Sequence, residues 1–478
     1  MLIAAGAANA LLFLDQTTVP VALPAIEREF GASTAAIQWT IGAYLLSLAS
    51  LMAGSGRLAD LYGRRRLFLL GLGLLGLASV ACAAAPSQLA LIAARTVQGA
   101  GAALTQPLAL AHATAIMPAD RRGWAIGVLA SAGTTCLMVG PLLGGLLVET
   151  LGWRFVFLAN LPIVVVAFWL GLRHMPPSRA PEPPALDLAG LLLLTAGLAV
   201  TVAGLLHVGE WESPLDVGVL ALGAVVLAAF VAVERRSAHP LIPLRLLRAP
   251  EVARSMTALL TIQGAALGVT VYVVLYLENG LGLTALQAGA VLLPAMIWSP
   301  LLSTRTGRLA DRYGERMLVG AGLVAAAAGL IAIALPARAD EALLLIPGLL
   351  VFGVSRPFVF TPASTVPVKA LPPGERGMAS SLVTGSRQLG AVLGVAGLGA
   401  LAAAFDHGER TGASAAGLQA AMLAAAAAAA LAGSAGLLRP PRARRRPRTL
   451  RLRRACAGCP TDGPGGAGRP RSRSAWYR

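Results

Sequence analysis

Long apolar runs separated by short polar breaks dominate the sequence. Runs of about 18 or more residues recur along the chain, each long enough to cross a hydrocarbon core of about 30 Å as a helix. They predict an all-α membrane protein with about fourteen transmembrane spans, at 2–26, 37–55, 67–86, 89–117, 125–149, 155–173, 187–209, 216–233, 254–278, 287–306, 317–335, 342–368, 378–402 and 416–438. Several exceed twenty residues, which implies tilt or helix extending beyond the lipid.

Composition agrees. The 478 residues are 56% hydrophobic and 13% charged, with a mean hydropathy of +0.72. Soluble chains carry about a quarter charged residues, so charge is depleted by roughly half. The net charge of +17 is carried almost wholly by arginine, Lys369 being the one lysine. Arg64, Arg65, Arg66, Arg121, Arg122, Arg173, Arg179, Arg235, Arg236, Arg312, Arg316, Lys369 and Arg376 fall in breaks on one side of the spans. Only Arg28, Arg154, Arg338 and Arg410 fall on the other. By the positive-inside rule the richer side is cytoplasmic, with both termini inside, in a cell membrane. The basic balance therefore reads as membrane topology, and no nucleic-acid partner is expected.

Cys82 and Cys136 lie in apolar runs, and Cys456 and Cys459 form a single CAGC in the tail. That is no disulfide framework, and one CxxC without two further ligands is a weak metal signal. No phosphate-binding loop or hydrolase motif is present, so neither an ATP-driven pump nor an enzyme is expected, and no cofactor. The opening lacks the basic segment and small-residue cleavage site of a signal peptide. Residues 174–186 form a Pro-rich linker. The arginine-rich segment 439–478 is expected to be a disordered cytoplasmic tail drawn to anionic lipid.

One short polar stretch occurs twice. GRLADLYGRR (Gly56–Arg65) and GRLADRYGER (Gly307–Arg316) share eight of ten letters, each after a long apolar run. Gly56 and Gly307 are expected at close helix approaches, and Asp60 and Asp311 beside a helix N-terminus or a basic neighbour such as Arg64. Gly63 and Gly314 are expected to permit the reversal. Eight predicted spans separate the copies, not the six of tandem six-helix repeats. Two helices, about 187–233, are thus inserted between halves at 1–173 and 254–438, with 174–253 carrying linker and insertion. Parallel repeats of this kind place a substrate path at the interface between halves.

Further segments follow in order: LDQTTVPVALPAI (Leu14–Ile26), RTVQGAGAA (Arg95–Ala103), GPLLGG (Gly140–Gly145), GWRFVFLANLPI (Gly152–Ile163), LTALQAGAVLLP (Leu283–Pro294) and SRQLGAVLGVA (Ser386–Ala396). With the repeated decapeptide, these make about residues 3–438 resemble the major facilitator superfamily, in particular its fourteen-helix drug:proton antiporter family. The resemblance implies the major facilitator fold, two six-helix bundles plus two inserted helices. It also implies export of small amphipathic drugs or antibiotics in exchange for protons. It assigns Gly127, Gly140, Pro141, Gly144 and Gly145 to the antiporter motif of the fifth helix, where Cys136 replaces a usual glycine. Where a glycine-rich run is usual in the twelfth helix, the chain reads GVSRPFVFTPAS, with Arg356 inside.

Ionisable groups inside spans are costly and mark function by default. Asp15 lies about eleven residues from the outer end of the first span, roughly 16 Å deep at 1.5 Å per residue. Arg95, in the fourth span, is expected to reach toward it, and Gln98 follows Arg95 by one turn. Desolvation favours a protonated carboxyl and a neighbouring guanidinium favours the carboxylate, so movement of the arginine can switch the acid between holding and releasing a proton. The same two residues in the resembled family are associated with proton coupling; the alternative is a structural pair holding two helices together. Arg356 and Arg387 are the second buried set, with a backbone carbonyl, Asp15 or an anionic substrate as the candidate partner of Arg356. Glu149, Glu210 and Glu278 are expected at outer span ends within reach of water, Asp187 as the N-cap of the seventh span, and His112 as a packed histidine. A proton-independent facilitator or metabolite exporter is the alternative function.

Overall fold

In hydrocarbon every backbone N–H and C=O must pair within its own segment, so the apolar runs fold as helices. The computed structural model describes residues 2–31, 34–115, 117, 122–176, 187–206, 214–237, 241, 246, 248–339, 341–370, 376–405 and 414–437. Glu210, the tail with its CAGC, the side chains of Asp60 and His112, and the surroundings of Gly127 lie outside that description. Among the described residues every regular element is helical.

The first group comprises α1 (Leu2–Phe30), α2 (Thr34–Tyr62), α3 (Arg64–Ala83), α4 (Gln88–Ala115), α5 (Arg122–Thr150), the short α6 (Arg154–Leu158) and α7 (Asn160–His174). A pair follows, α8 (Leu188–Leu206) and α9 (Pro214–Arg236). The second group holds α10 (Pro250–Leu275), which ends in a π-helical turn at Tyr276–Gly280, then α11 (Ala285–Met296), α12 (Trp298–Tyr313) and α13 (Glu315–Ala334). It closes with α14 (Ile346–Ala370), α15 (Arg376–Ala404) and α16 (Ala415–Leu437).

Twelve helical segments among the described residues are long and apolar enough to cross a membrane, not the fourteen that the runs predict. The two expected spans that fall short lie in α2 and α4. In α2 the apolar helical stretch is Ala36–Met52. In α4, Arg95, Gln98 and Gln106 lower the hydropathy. Both helices form nonetheless, at 29 and 28 residues. Two further boundaries move. Span 287–306 breaks at Ile297, three residues after Pro294, and continues as α12 to Tyr313. Span 155–173 breaks at Ala159, before α7.

Local signals fix the ends. Thr284 and Gln287 form a reciprocal capping box at the start of α11, with backbone-to-side-chain bonds of 3.0 and 3.3 Å. Asp187 caps α8 as expected, its Oδ1 accepting from Gly190 N at 2.7 Å. Gly63 and Gly314 take φ of 98° and 87° between consecutive helices, a conformation that residues with a Cβ rarely adopt.

In the first group α1 packs chiefly on α5, and α4 packs between α2 and α3. In the second, α10 packs on α15 and α13 lies between α14 and α16. The groups meet where α11 packs on α5 and α15 on α2. The α8–α9 pair docks through α8 on α2 and α15, while α9 leaves Val217, Leu222 and Val225 exposed, as a lipid-facing helix would.

Candidate functional site

Asp15 and Arg95 come together, as the sequence predicts. Both are buried, at 3% and 1% exposure. Arg95 Nη1 donates to Asp15 Oδ1 and Oδ2 at 3.0 and 2.7 Å and to Gln98 Oε1 at 2.6 Å. Its Nε donates to the Thr40 carbonyl at 3.1 Å. The guanidinium carbon lies 4.2 Å from the Tyr44 ring centroid, a stacking that partly offsets the loss of water. Gln98 extends the network, its Nε2 donating to Ser79 Oγ at 3.0 Å and to Asp15 Oδ1 at 3.4 Å. One polar knot thus ties α1, α2, α3 and α4.

This knot borders space. Asp15, Gln16, Tyr44 and Arg95 line a small cavity that Leu267 of α10 closes from the second group. Gln16 Nε2 points into buried surroundings without a hydrogen-bond partner. A buried ion pair needs its remaining lone pairs and protons satisfied, and breaking one from a single side costs about 3–5 kcal/mol. Thr40, Gln98 and Ser79 supply that satisfaction here. The arrangement holds an acid deep in the bundle, next to a cavity and a buried, fully bonded guanidinium.

The glycines of α5 divide between two neighbours. A Cβ on Gly140 would overlap the Thr17 hydroxyl, and one on Gly144 would sit 3.0 Å from Thr18 Cα, so both press on α1. Thr17 and Thr18 turn their hydroxyls back onto carbonyls of their own helix at 2.9 Å, which flattens that contact. Gly145, unlike the other described glycines of α5, faces the second group, where a Cβ would lie 2.6 Å from the Ala285 carbonyl. Pro141 meets Gly289 across the same seam. In α4, Gly99 and Gly101 serve close approach to α2 and α3.

Other expectations change. A Cβ on Gly56 would have open space around it and one on Gly307 only ordinary contact, so neither marks a close approach. Each lies on a helix some seven residues before the reversal, where the turn alone demands glycine. In the second decapeptide Lys369 reaches back to Glu315 at 2.7 Å and Asp311 at 3.4 Å. Lys369 lies outside the span, and its hydrogen bond to Glu315 holds the ammonium above the usual lysine range. The last arginine of each copy makes the same kind of contact, Arg65 donating to the Leu172 carbonyl of α7 at 2.5 Å and Arg316 to the Leu437 carbonyl of α16 at 3.3 Å. Glu149 is exposed, as expected, with Oε1 accepting from Leu286 N at 3.2 Å. Glu278 is not: the π-helical turn carries it inward to 8% exposure. Arg356 takes the backbone option, with Nη1 donating to the Ala295 carbonyl at 3.4 Å.

The Major Facilitator Superfamily model matches residues 5–395 and 306–468. The chain belongs to the major facilitator superfamily. It is a multi-span membrane transporter and not an enzyme. It is 36% identical over 410 residues to the multidrug resistance protein Stp of Mycobacterium tuberculosis (strain CDC 1551 / Oshkosh), covering 84% of this chain and 76% of that protein. To the puromycin resistance protein pur8 of Streptomyces alboniger it is 35% identical, covering 86% and 84%. To the cephamycin export protein CmcT of Amycolatopsis lactamdurans it is 34% identical, covering 83% of each. Among solved structures, its fold resembles a peptide transporter POT in complex with sulfate, with a TM-score of 0.68 at 14% identity over 91% of this chain and 93% of that one. A D-xylose-proton symporter gives 0.67 at 13% identity over 91% and 96%.

Within this superfamily member, sequence reasoning found the Asp15–Arg95–Gln98 triad but missed Ser79, Thr40 and Tyr44. Thr40 acts through its carbonyl, which no sequence pattern marks. Ser79 is a small hydroxyl inside an apolar run, indistinguishable there from packing. Gln16 was legible in principle, as a second polar side chain beside Asp15 in a buried helix.

Proposed function

We propose that this protein exports small amphipathic drugs or antibiotics in exchange for protons, by alternating exposure of a site between two six-helix bundles at 1–173 and 254–438. The inserted pair within 174–253 and a cytoplasmic tail at 439–478 complete the chain. The observation that carries the coupling is the fully bonded Asp15–Arg95 pair beside a buried cavity. Export of drugs or antibiotics is supported by the named activities of the relatives. We further propose that α2 and α4 cross the membrane as well. Their neighbours shield their polar residues, and the span count then reaches that of the fourteen-helix drug:proton antiporter family, with both termini cytoplasmic.

The driving force is adequate. One proton crossing 100 mV gains about 2.3 kcal/mol, and each pH unit adds about 1.4. Protonation of Asp15 releases the Arg95 guanidinium to rearrange with α4, and its deprotonation restores the pair. Asp15→Asn keeps the shape and cannot change charge. In proteoliposomes with an imposed pH gradient, D15N should insert normally, still bind substrate, and lose uphill export. Concentration of substrate by D15N at near wild-type rate would assign the proton to another group.

A further inference from the structure

Arg356 of α14 and Arg387 of α15 approach the same aromatic ring. The guanidinium carbons lie 5.9 and 5.0 Å from the Phe360 centroid, and Arg387 also stands 5.7 Å from the ring of Phe13 on α1. Arg356 is 5% exposed and Arg387 half-buried. Among the described residues the Nε of each lacks a hydrogen-bond partner, and Arg356 Nη1 donates to the Ala295 carbonyl only at a long 3.4 Å. Among the described residues, no carboxylate pairs with either. Asp15, two residues along α1 from Phe13, is already engaged by Arg95.

Two like charges converging in a membrane protein's interior, without a counter-charge, are unfavourable unless something neutralises them. Stacking on phenylalanine supplies only part of that. The contrast with Arg95 is informative: that arginine makes four hydrogen bonds to protein atoms. Arginine forks match carboxylate, sulfonate and phosphate oxygens, and this pair presents its unused N–H groups beside two apolar rings. The location also fits a transport site, because Phe13 belongs to the first group and both arginines to the second.

We infer that Arg356 and Arg387 form an anion subsite that binds the carboxylate, sulfonate or phosphate group of an amphipathic substrate whose apolar part lies along Phe13 and Phe360. The word substrate rests on the exporter reading; the binding itself does not. Fluorescein and rhodamine 123 share a xanthene frame and differ in charge, so they serve as anionic and cationic probes. With the full chain in phosphatidylcholine nanodiscs, fluorescence anisotropy should show saturable fluorescein binding. R356Q and R387Q should each weaken it about tenfold or more and leave rhodamine 123 unchanged, while R387K should recover part of the loss. R387Q is decisive if R356Q fails to fold, since Arg387 is the less buried of the two. Absence of saturable fluorescein binding, or a change under twofold in R387Q, overturns the subsite. Discs containing phosphatidylglycerol separate the two anion sources: displacement of fluorescein by that lipid overturns the substrate assignment in favour of a headgroup site, and undiminished binding supports it. Fluorescein transport in proteoliposomes is read separately. Arginine-dependent binding without transport keeps the subsite and sinks the exporter reading.

Discussion

At the scale of residues, the site depends on what one guanidinium does at once. Arg95 bonds Asp15 and Gln98 through Nη1 and the Thr40 carbonyl through Nε, while its plane stacks on Tyr44. A lysine ammonium is a point charge without that planar fork, so it cannot hold all of these contacts. Charge-assisted bonds contribute about 1.5–3 kcal/mol each, and losing one exceeds a factor of ten. R95K should therefore lower gradient-driven export at least about tenfold while keeping membrane insertion, measured in proteoliposomes beside size-exclusion profiles. Export within twofold of wild type would reduce Arg95 to a bare positive charge. The acid and the arginine were legible because charge is so rare in these spans. Their carbonyl and hydroxyl partners were not, because those atoms look the same in every helix.

Among elements, the seam between α5 and α11 is set by backbone meeting backbone. At Gly145 and Gly289 a side chain would strike a carbonyl or peptide carbon that cannot swing aside. G145V should separate the two helices and expose the end of the bundle. Vesicles carrying it should leak protons more than wild type, whereas G56V, with open space around Gly56, should not. A proton-tight G145V would show that the seam yields. The repeated decapeptides share the reversal glycine and the contact of their last arginine, Arg65 and Arg316 each donating to a carbonyl near a helix end. In the second copy Asp311 and Glu315 meet Lys369 at an exposed surface, where ion pairs contribute about 0–1 kcal/mol. A lysine held above its usual range stabilises at all pH values below that range and loses the contribution only as pH rises through it, so K369Q should cost the same at pH 6 and pH 8. D311N should likewise impair transport less than D60N at equal expression. Equal losses would make the two loops interchangeable.

For the molecule as a whole, the two groups are joined at the end that carries the C-terminus of α1. There Asn279 Nδ2 donates to Glu27 Oε2 at 2.9 Å, and Glu149 accepts from Leu286 N at 3.2 Å. Alternating access requires these contacts to part once per cycle. A short bis-maleimide bridge in E27C/N279C should therefore stop export without preventing insertion, and continued export would argue against rocking at this seam. Topology is tested apart from this: reporter fusions at Asp340 and Gly408 should read external and one at Pro183 internal. A cytoplasmic signal at Gly408 would break the proposed arrangement.

The sequence alone determined the helical membrane architecture, because hydrocarbon leaves the backbone no other pairing and apolar length is directly readable. It also determined the superfamily's motifs and singled out Asp15 and Arg95, since charge is rare and costly in apolar spans. It counted two more clearly apolar spans than the described residues carry, one in α2, whose apolar stretch is Ala36–Met52, and one in α4, which carries Arg95 and Gln98. Which neighbour each glycine of α5 meets, and the inward turn of Glu278, were decided by the tertiary structure. So was the convergence of Arg356 and Arg387 on Phe360. These depend on how helices distant in sequence rotate and pack against one another, and local periodicity records only which face is apolar, not which helix will cover it.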